Sequence, residues 1–255
     1  MMAQVVAAEF LKLKRSVVPW VTLGVMLLAP CGIALFMWIV QHPETAATLG
    51  LLGTKANLAG LEATWPAFSG YLAMVAGGGG LGLLGFVLAY LFGREYADGT
   101  AKNMLALPVG RHWFVLGKLT VALVWWAVLV VAVAAEGLLL GWVLDLPGRT
   151  PGAMALAVGT NLLAAGISFL VVPLTAWVTV ATRSALGAVA FAFGTLLLGD
   201  LLGHTGWAEW TPWSIVLLAA EDATMLTWAS VAVLVATFVV GTMATILQLE
   251  YADNP

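Results

Sequence analysis

Charged side chains are scarce in this sequence. Asp, Glu, Lys and Arg make up 9% of its 255 residues, whereas a soluble domain carries about 25%. Hydrophobic residues account for 62%. The net charge of -3 gives no sign of the basic surface that binds nucleic acid, so we expect no nucleic-acid partner. The composition indicates a chain that lies in a lipid bilayer.

Cysteine and histidine are equally rare. The single cysteine, Cys31, excludes an intrachain disulfide. The three histidines, His42, His112 and His204, are far apart in the sequence, and none has a second ligand at metal-binding spacing. We therefore predict no metal site.

Nucleotide-binding and catalytic motifs are missing. Residues 110–118 only superficially resemble a phosphate-binding loop, because the spacing between Gly110 and Gly117 is too long and Leu119 replaces the required Ser or Thr. No hydrolase motif of the serine or zinc type is present. We predict that the chain is not an enzyme, has no catalytic residue and binds no cofactor itself.

Long apolar runs are what the sequence has instead. A membrane-spanning helix needs about 20 predominantly apolar residues, and the bilayer core offers no water to an unpaired backbone, which requires helices. We predict an all-α integral membrane protein whose residues 1–255 form a single domain, with Pro173 kinking the fourth span. The predicted spans cover residues 17–40, 68–92, 119–144, 153–180, 186–202 and 227–247.

The distribution of Lys and Arg predicts the orientation. Basic residues favour cytoplasmic connections. With a cytoplasmic N-terminus, only Lys55 and Arg149 lie outside. The inside segments hold Lys12, Lys14, Arg15, Arg94, Lys102, Arg111, Lys118 and Arg183. We therefore expect a multi-pass protein of the plasma membrane with both termini in the cytoplasm.

The segment before the first span has an amphipathic pattern. At helical spacing Val6, Phe10 and Leu13 share one face, while Glu9 and Lys12 share another. Such a helix lies flat at the membrane surface; the alternative is a charged flank that only fixes the topology. The residues that define this interfacial helix are Glu9, Phe10, Lys12, Lys14 and Arg15.

The connection between the second and third spans contains strong turn signals. Asp98-Gly99 favours a turn, Thr100 can cap a new helix, and Pro108 would end it. The chain becomes helical again after Arg111. We predict a short helix held across the cytoplasmic mouth of the two spans, where it could dock into a partner. The alternative for Glu95 and Arg111 is a solvated loop that sets the topology.

Three residues inside the spans are also notable. Gly78 and Gly82 have the small-xxx-small spacing of closely packed membrane helices, and the alternative is a flexible break that lines the substrate path. Glu136 is an acid well inside the third span, where a charge is costly and often functional. It could attract a cationic substrate, or it could be a protonated acid bonded to a neighbouring helix.

These segments together resemble a known family. The pattern Glu95-x3-Gly99-Thr100, Pro108-x2-Arg111 and Gly117-Lys118 resembles the coupling-helix region of ABC type-2 transporter permeases. The run from Glu9 to Ser16 resembles the opening of the bacitracin-export and lantibiotic-immunity group of that family.

The resemblance implies partners and site residues. It implies a homodimer in which each copy binds one soluble ATPase subunit, and the ATPase, rather than this chain, holds ATP and Mg²⁺. The N-terminal helix and the coupling helix would contact the ATPase. The coupling residues implied in this way are Glu95, Asp98, Gly99, Thr100, Pro108 and Arg111.

The resemblance also implies a function. We expect ATP-driven export of a hydrophobic or amphipathic substrate, such as a peptide antibiotic or a lipid-like molecule, by alternating access, with a role in self-immunity. Two alternatives stay open from the residues: an ion-coupled secondary transporter or channel, and a noncatalytic membrane subunit for sensing or immunity.

Overall fold

The computed structural model describes residues 2–52, 58, 60–101 and 109–251. Within these ranges every regular element is helical, which confirms the all-α prediction. The helices are α1 (Met2–Lys14), α2 (Val18–Gln41), α3 (Pro43–Thr48), α4 (Trp65–Gly79), α5 (Gly85–Ala97), α6 (Arg111–Val143), α7 (Pro151–Val171), α8 (Pro173–Thr182), α9 (Ala185–Gly203), α10 (Pro212–Glu221) and α11 (Trp228–Tyr251). A π-helical turn (Gly80–Leu84) joins α4 to α5, and short 3-10 turns (Ala208–Trp210 and Ala223–Met225) flank α10.

Six helical units in the described part of the chain are long and apolar enough to cross a bilayer. They are Val18–Gln41, Trp65–Ala97, Arg111–Val143, Pro151–Thr182, Ala185–Gly203 and Trp228–Tyr251. The prediction of six helices able to span the bilayer is therefore confirmed. The second and third helices extend beyond their predicted limits because backbone hydrogen bonding continues into polar residues at the ends of the apolar runs.

The fourth span breaks at the predicted proline. α7 ends at Val171 and α8 begins at Pro173, because a prolyl ring has no N–H to donate and clashes with the preceding turn. The last span packs closely on this break. A Cβ atom at Gly241 would lie 2.7 Å from the Leu174 backbone nitrogen, so only glycine allows the two helices to approach this far.

The second span is the most buried of the six and carries the predicted glycine pair. A Cβ atom at Gly78 would lie 3.4 Å from Leu196, and one at Gly82 would lie 3.2 Å from Phe193. Both glycines therefore face α9 of the same chain. The closest approach to α9 in this span is made by Gly85, whose added Cβ would lie 2.6 Å from the Ala192 side chain. Gly82 lies within the π-helical turn and Gly85 directly follows it, so the close packing continues through the turn.

Candidate functional site

Four charged side chains meet where α1 crosses the ends of α5 and α6. The Lys118 ammonium lies 2.7 Å from a Glu9 carboxylate oxygen and 2.7 Å from a Glu95 carboxylate oxygen. It also donates a hydrogen bond to the Leu91 carbonyl oxygen at 2.6 Å. Lys12 pairs with the same two acids, at 2.6 Å from Glu9 and 3.0 Å from Glu95. These four residues, Glu9, Lys12, Glu95 and Lys118, are called the charge cluster below.

The charge cluster is largely closed to solvent. Glu9, Glu95 and Lys118 are 3%, 4% and 2% exposed, and only Lys12 reaches the surface, with 40% of its side chain exposed. Buried ions are tolerated when they are paired and hydrogen-bonded. Both carboxylates and both ammonium groups are paired here, although the second Glu95 carboxylate oxygen is buried without a hydrogen-bond partner among the described residues. Three of the four ion pairs join different helices, so the cluster connects α1, α5 and α6.

The electrostatics of α1 follow from this pairing. Burial alone would raise the pKa of Glu9, but the ammonium groups of Lys118 and Lys12 outweigh it, and the pKa lies below its usual value. Burial likewise lowers the pKa of Lys12, but hydrogen bonding and attraction to Glu9 and Glu95 raise it overall. Glu9 and Lys12 are therefore both charged at neutral pH.

A glycine lets α1 approach close enough to form the cluster. A Cβ atom at Gly117 would lie 2.7 Å from the Val5 side chain, so a larger residue would push α1 away from α6. The buried side of α1 carries Glu9 and Leu13, whereas Phe10 is 42% exposed. Glu9 and Lys12, which the pattern places on one face, form an ion pair, but the sequence pattern did not reveal that Glu9 is buried.

The end of α5 is closed by a second group of polar contacts. Arg94 pairs with Asp98 at 3.1 Å and donates hydrogen bonds to the Tyr90 hydroxyl at 3.0 Å and to the Lys12 carbonyl oxygen at 3.3 Å. It therefore ties α5 to the backbone of α1, beside the charge cluster. This arginine was counted in the sequence only as a basic residue of the connection.

The turn predicted at Asp98-Gly99 is present. Gly99 has a φ of +67°, a left-handed conformation that glycine adopts without strain. The Thr100 N–H donates to the Glu95 carbonyl oxygen at 2.9 Å, so Thr100 closes the end of α5. The predicted coupling helix covers residues 101–107 and is followed by Pro108. All of these except Ala101 lie outside the described residues.

Arg111 makes a contact that the sequence did not predict. It is the first residue of α6, and its guanidinium donates hydrogen bonds to the carbonyl oxygens of Leu249 and Glu250, the latter at 2.9 Å. Cationic groups stabilise the carbonyl end of a helix in this way. Arg111 therefore holds the end of the last span, α11, against the start of the third, and it is more than a solvated loop residue.

Lys118 is the site residue that sequence reasoning missed. It directly precedes the predicted apolar stretch at 119–144, and a lysine in that position is expected to extend its ammonium group toward water. The structure instead turns it inward between Glu9 and Glu95. One feature of the sequence could have indicated this role. Glu9 and Glu95 both lie near helix ends, and each needs a cationic partner if it is buried.

Glu136 lies apart from the charge cluster, inside the third span. It accepts a hydrogen bond from the Cys31 thiol of the first span at 3.1 Å. An acid bonded to a neighbouring helix was one of the two alternatives, and the contact is present, although the donor is a thiol. Its second carboxyl oxygen is buried without a hydrogen-bond partner among the described residues. No three metal-binding side chains come together in the described ranges.

The architecture defines the class of protein. Six apolar helices in the described ranges are long enough to span a bilayer, which defines a multi-pass membrane protein. The model of the ABC-2 family transporter protein matches residues 5–199, and the chain belongs to this family. It is therefore a permease subunit of an ABC exporter, a multi-pass protein of the plasma membrane that works with an ABC ATPase.

The subgroup resemblance is also confirmed. The chain is similar to the bacitracin transport permease protein BCRB of Bacillus licheniformis, with 27% identity over 180 residues. The similarity covers 68% of this chain and 85% of that relative. Residues 5–199, the part of the chain that the family model matches, include most of α1, all of α5 and the start of α6. All four residues of the charge cluster therefore lie within the match.

Proposed function

We propose that the charge cluster couples ATP hydrolysis in a separate ATPase subunit to movement of the membrane helices. The single observation that supports this is the position of the cluster. Segment 98–111 leaves α5 three residues after Glu95 and joins α6 at Arg111, seven residues before Lys118. Force applied to this segment would act on α1, α5 and α6 together, because Glu9, Glu95 and Lys118 join them through buried ion pairs.

In this proposal the working unit contains two copies of this chain and two ATPase subunits. The ATPase subunits bind ATP and Mg²⁺, and both termini of the permease face the cytoplasm. Closing of the ATPase dimer pulls on segment 98–111, and the helices alternate between inward-open and outward-open arrangements. The segment that receives the force is then fixed at one end by Asp98, Gly99 and Thr100 and at the other by Arg111.

The substrate class follows from the character of the spans. They contain few charged residues, so substrate recognition depends on apolar and aromatic contacts. A relative is named for bacitracin transport, which supports an amphipathic peptide antibiotic or a lipid-like molecule as substrate and a role in self-immunity. Glu136, as the acid within the third span, would favour a substrate that carries a cationic group.

The test is purification of the full chain from its native membrane in mild detergent, with mass spectrometry of co-purifying proteins and an ATPase assay. We expect a soluble ATPase at equal stoichiometry. Arg111→Gln should retain the ATPase but reduce ATP-driven transport in liposomes, because it loosens α11 from the start of α6. The control is Asp145→Asn, which alters a solvent-exposed carboxylate of a loose 3.7 Å pair with Arg149.

Two outcomes would overturn the proposal in different ways. Transport by the isolated chain on an ion gradient, without any ATPase, would support an ion-coupled transporter. A stable ATPase complex that binds an antibiotic but moves nothing across the liposome membrane would support a sensing or immunity subunit instead.

A further inference from the structure

An apolar groove of about 430 Å³ opens between α1, α2 and α6. Its volume falls within the roughly 300–1,000 Å³ that is typical of sites for small molecules. Its walls include Phe10, Trp20, Leu23, Trp125 and Val128, and Lys14 is the one charged residue among the described residues that line it. The groove shares no residue with the charge cluster, although Leu13, which also lines it, lies on the same buried side of α1 as Glu9.

The groove lies where a bilayer would place a lipid headgroup. α1 ends at Lys14, and the first span begins at Val18, so the basic end of the groove is next to the entry of the chain into the membrane. Trp20 is 73% exposed, and tryptophan favours the level of the headgroups. The apolar wall continues from there along α2 and α6 through Leu23 and Val128.

We propose that this groove binds one anionic phospholipid, which stays in place and is not transported. An acyl chain lies against Trp20, Leu23 and Val128, and the phosphate group binds the Lys14 ammonium. Lys12, two residues earlier on α1, is occupied by Glu9 and Glu95, whereas no ion pair joins Lys14 to an acid among the described residues. A second copy of this chain would have to present an anionic group to Lys14 at the level of the headgroups, where anionic lipids already supply one.

Native mass spectrometry of the purified full chain tests the proposal. The chain is incubated with dioleoyl phosphatidylglycerol or with dioleoyl phosphatidylcholine, which share acyl chains and differ in headgroup charge. We expect preferential retention of phosphatidylglycerol. Lys14→Gln should lower that retention about fivefold, since a basic residue at the membrane surface contributes roughly this factor. The effect on phosphatidylcholine should be smaller, because its own choline ammonium already neutralises its phosphate.

A second pair of variants tests the groove itself. Val128→Trp should fill it and reduce the retention of both lipids. Val124→Trp is the matched control, because Val124 lies one turn away on α6 with 46% exposure against 47% for Val128 and does not line the groove.

Equal retention of the two lipids by the unaltered chain would overturn the proposal. Loss of a dimer in Val128→Trp, with lipid retention unchanged, would assign the groove to a second copy. Neither outcome depends on whether an ATPase co-purifies.

Discussion

Replacing Lys118 with methionine tests the charge cluster most directly. The substitution keeps a long side chain but removes the ammonium group that lies 2.7 Å from both Glu9 and Glu95. Two buried carboxylates then share only Lys12, which is partly exposed. Removal of one partner from a buried ion pair costs about 3–5 kcal/mol, because an uncompensated charge is left in a low-dielectric environment. We expect a large loss of stability.

Thermal unfolding in detergent, followed by size-exclusion chromatography with fluorescence detection, measures this loss. The matched control is Arg15→Met, which removes a nearby exposed basic side chain that takes no part in the cluster or the groove. A second measurement follows the detachment of α1. Val5 packs against Gly117 of α6, so the variant Val5→Cys places a thiol in this contact, and Cys31→Ser removes the natural thiol. We expect this thiol to become more reactive toward a polar maleimide when Lys118 is replaced.

A compensating variant distinguishes charge from packing. Combining Lys118→Met with Glu9→Gln and Glu95→Gln removes the two stranded carboxylates, and neutral replacements of buried ion networks are often no less stable than the original. The triple variant should recover most of the lost stability. The reasoning is refuted if Lys118→Met unfolds at the same temperature as the unaltered chain, or if the triple variant is no more stable than the single one.

Three further predictions follow from other sites. The lowered pKa of Glu9 stabilises the fold above about pH 4.5, the ordinary pKa of a glutamate, and this contribution is lost as the pH falls through the lowered pKa. Glu9→Gln should therefore make the unfolding temperature depend less on pH on the acid side. An unchanged pH profile would contradict the pairing. Gly85→Leu should lower the stability of the fold by about 1–3 kcal/mol through overpacking against Ala192. The control is Gly24→Leu, which should leave the unfolding temperature unchanged because a Cβ atom at Gly24 would meet no atom within 4 Å. Equal effects of the two variants would refute the close contact. Glu136→Gln should preserve the unfolding temperature but reduce liposome transport of a cationic peptide relative to a neutral analogue, and equal transport of the two would remove Glu136 from substrate recognition.

The sequence predicts the helices better than it predicts their contacts. Long apolar runs locate all six spans because the bilayer imposes both helical structure and length, and Pro173 locates the break within the fourth. The turn at Asp98-Gly99 was also predictable, because it is a local feature of the backbone.

The charge cluster could not be predicted, because it depends on tertiary contacts. Lys118 is separated from Glu9 by 109 positions and from Glu95 by 23, and no periodic pattern relates residues on different helices. The glycines illustrate the same limit. Spacing singled out Gly78 and Gly82, whereas the closer approach to α9 is made by Gly85, because the closeness of a contact depends on which residue the neighbouring helix presents, here Ala192.

The contact between Arg111 and the end of α11 has a consequence for biosynthesis. Its guanidinium hydrogen-bonds to a carbonyl oxygen 138 positions later in the chain. At a translation rate of about 5–20 residues per second, that carbonyl is made roughly 7–28 s after the arginine. During this interval the start of α6 lacks its final hydrogen-bond partner. A ribosome that stops before Leu249 therefore releases a protein whose earlier helices are inserted but unsecured, a state that membrane proteases could recognise.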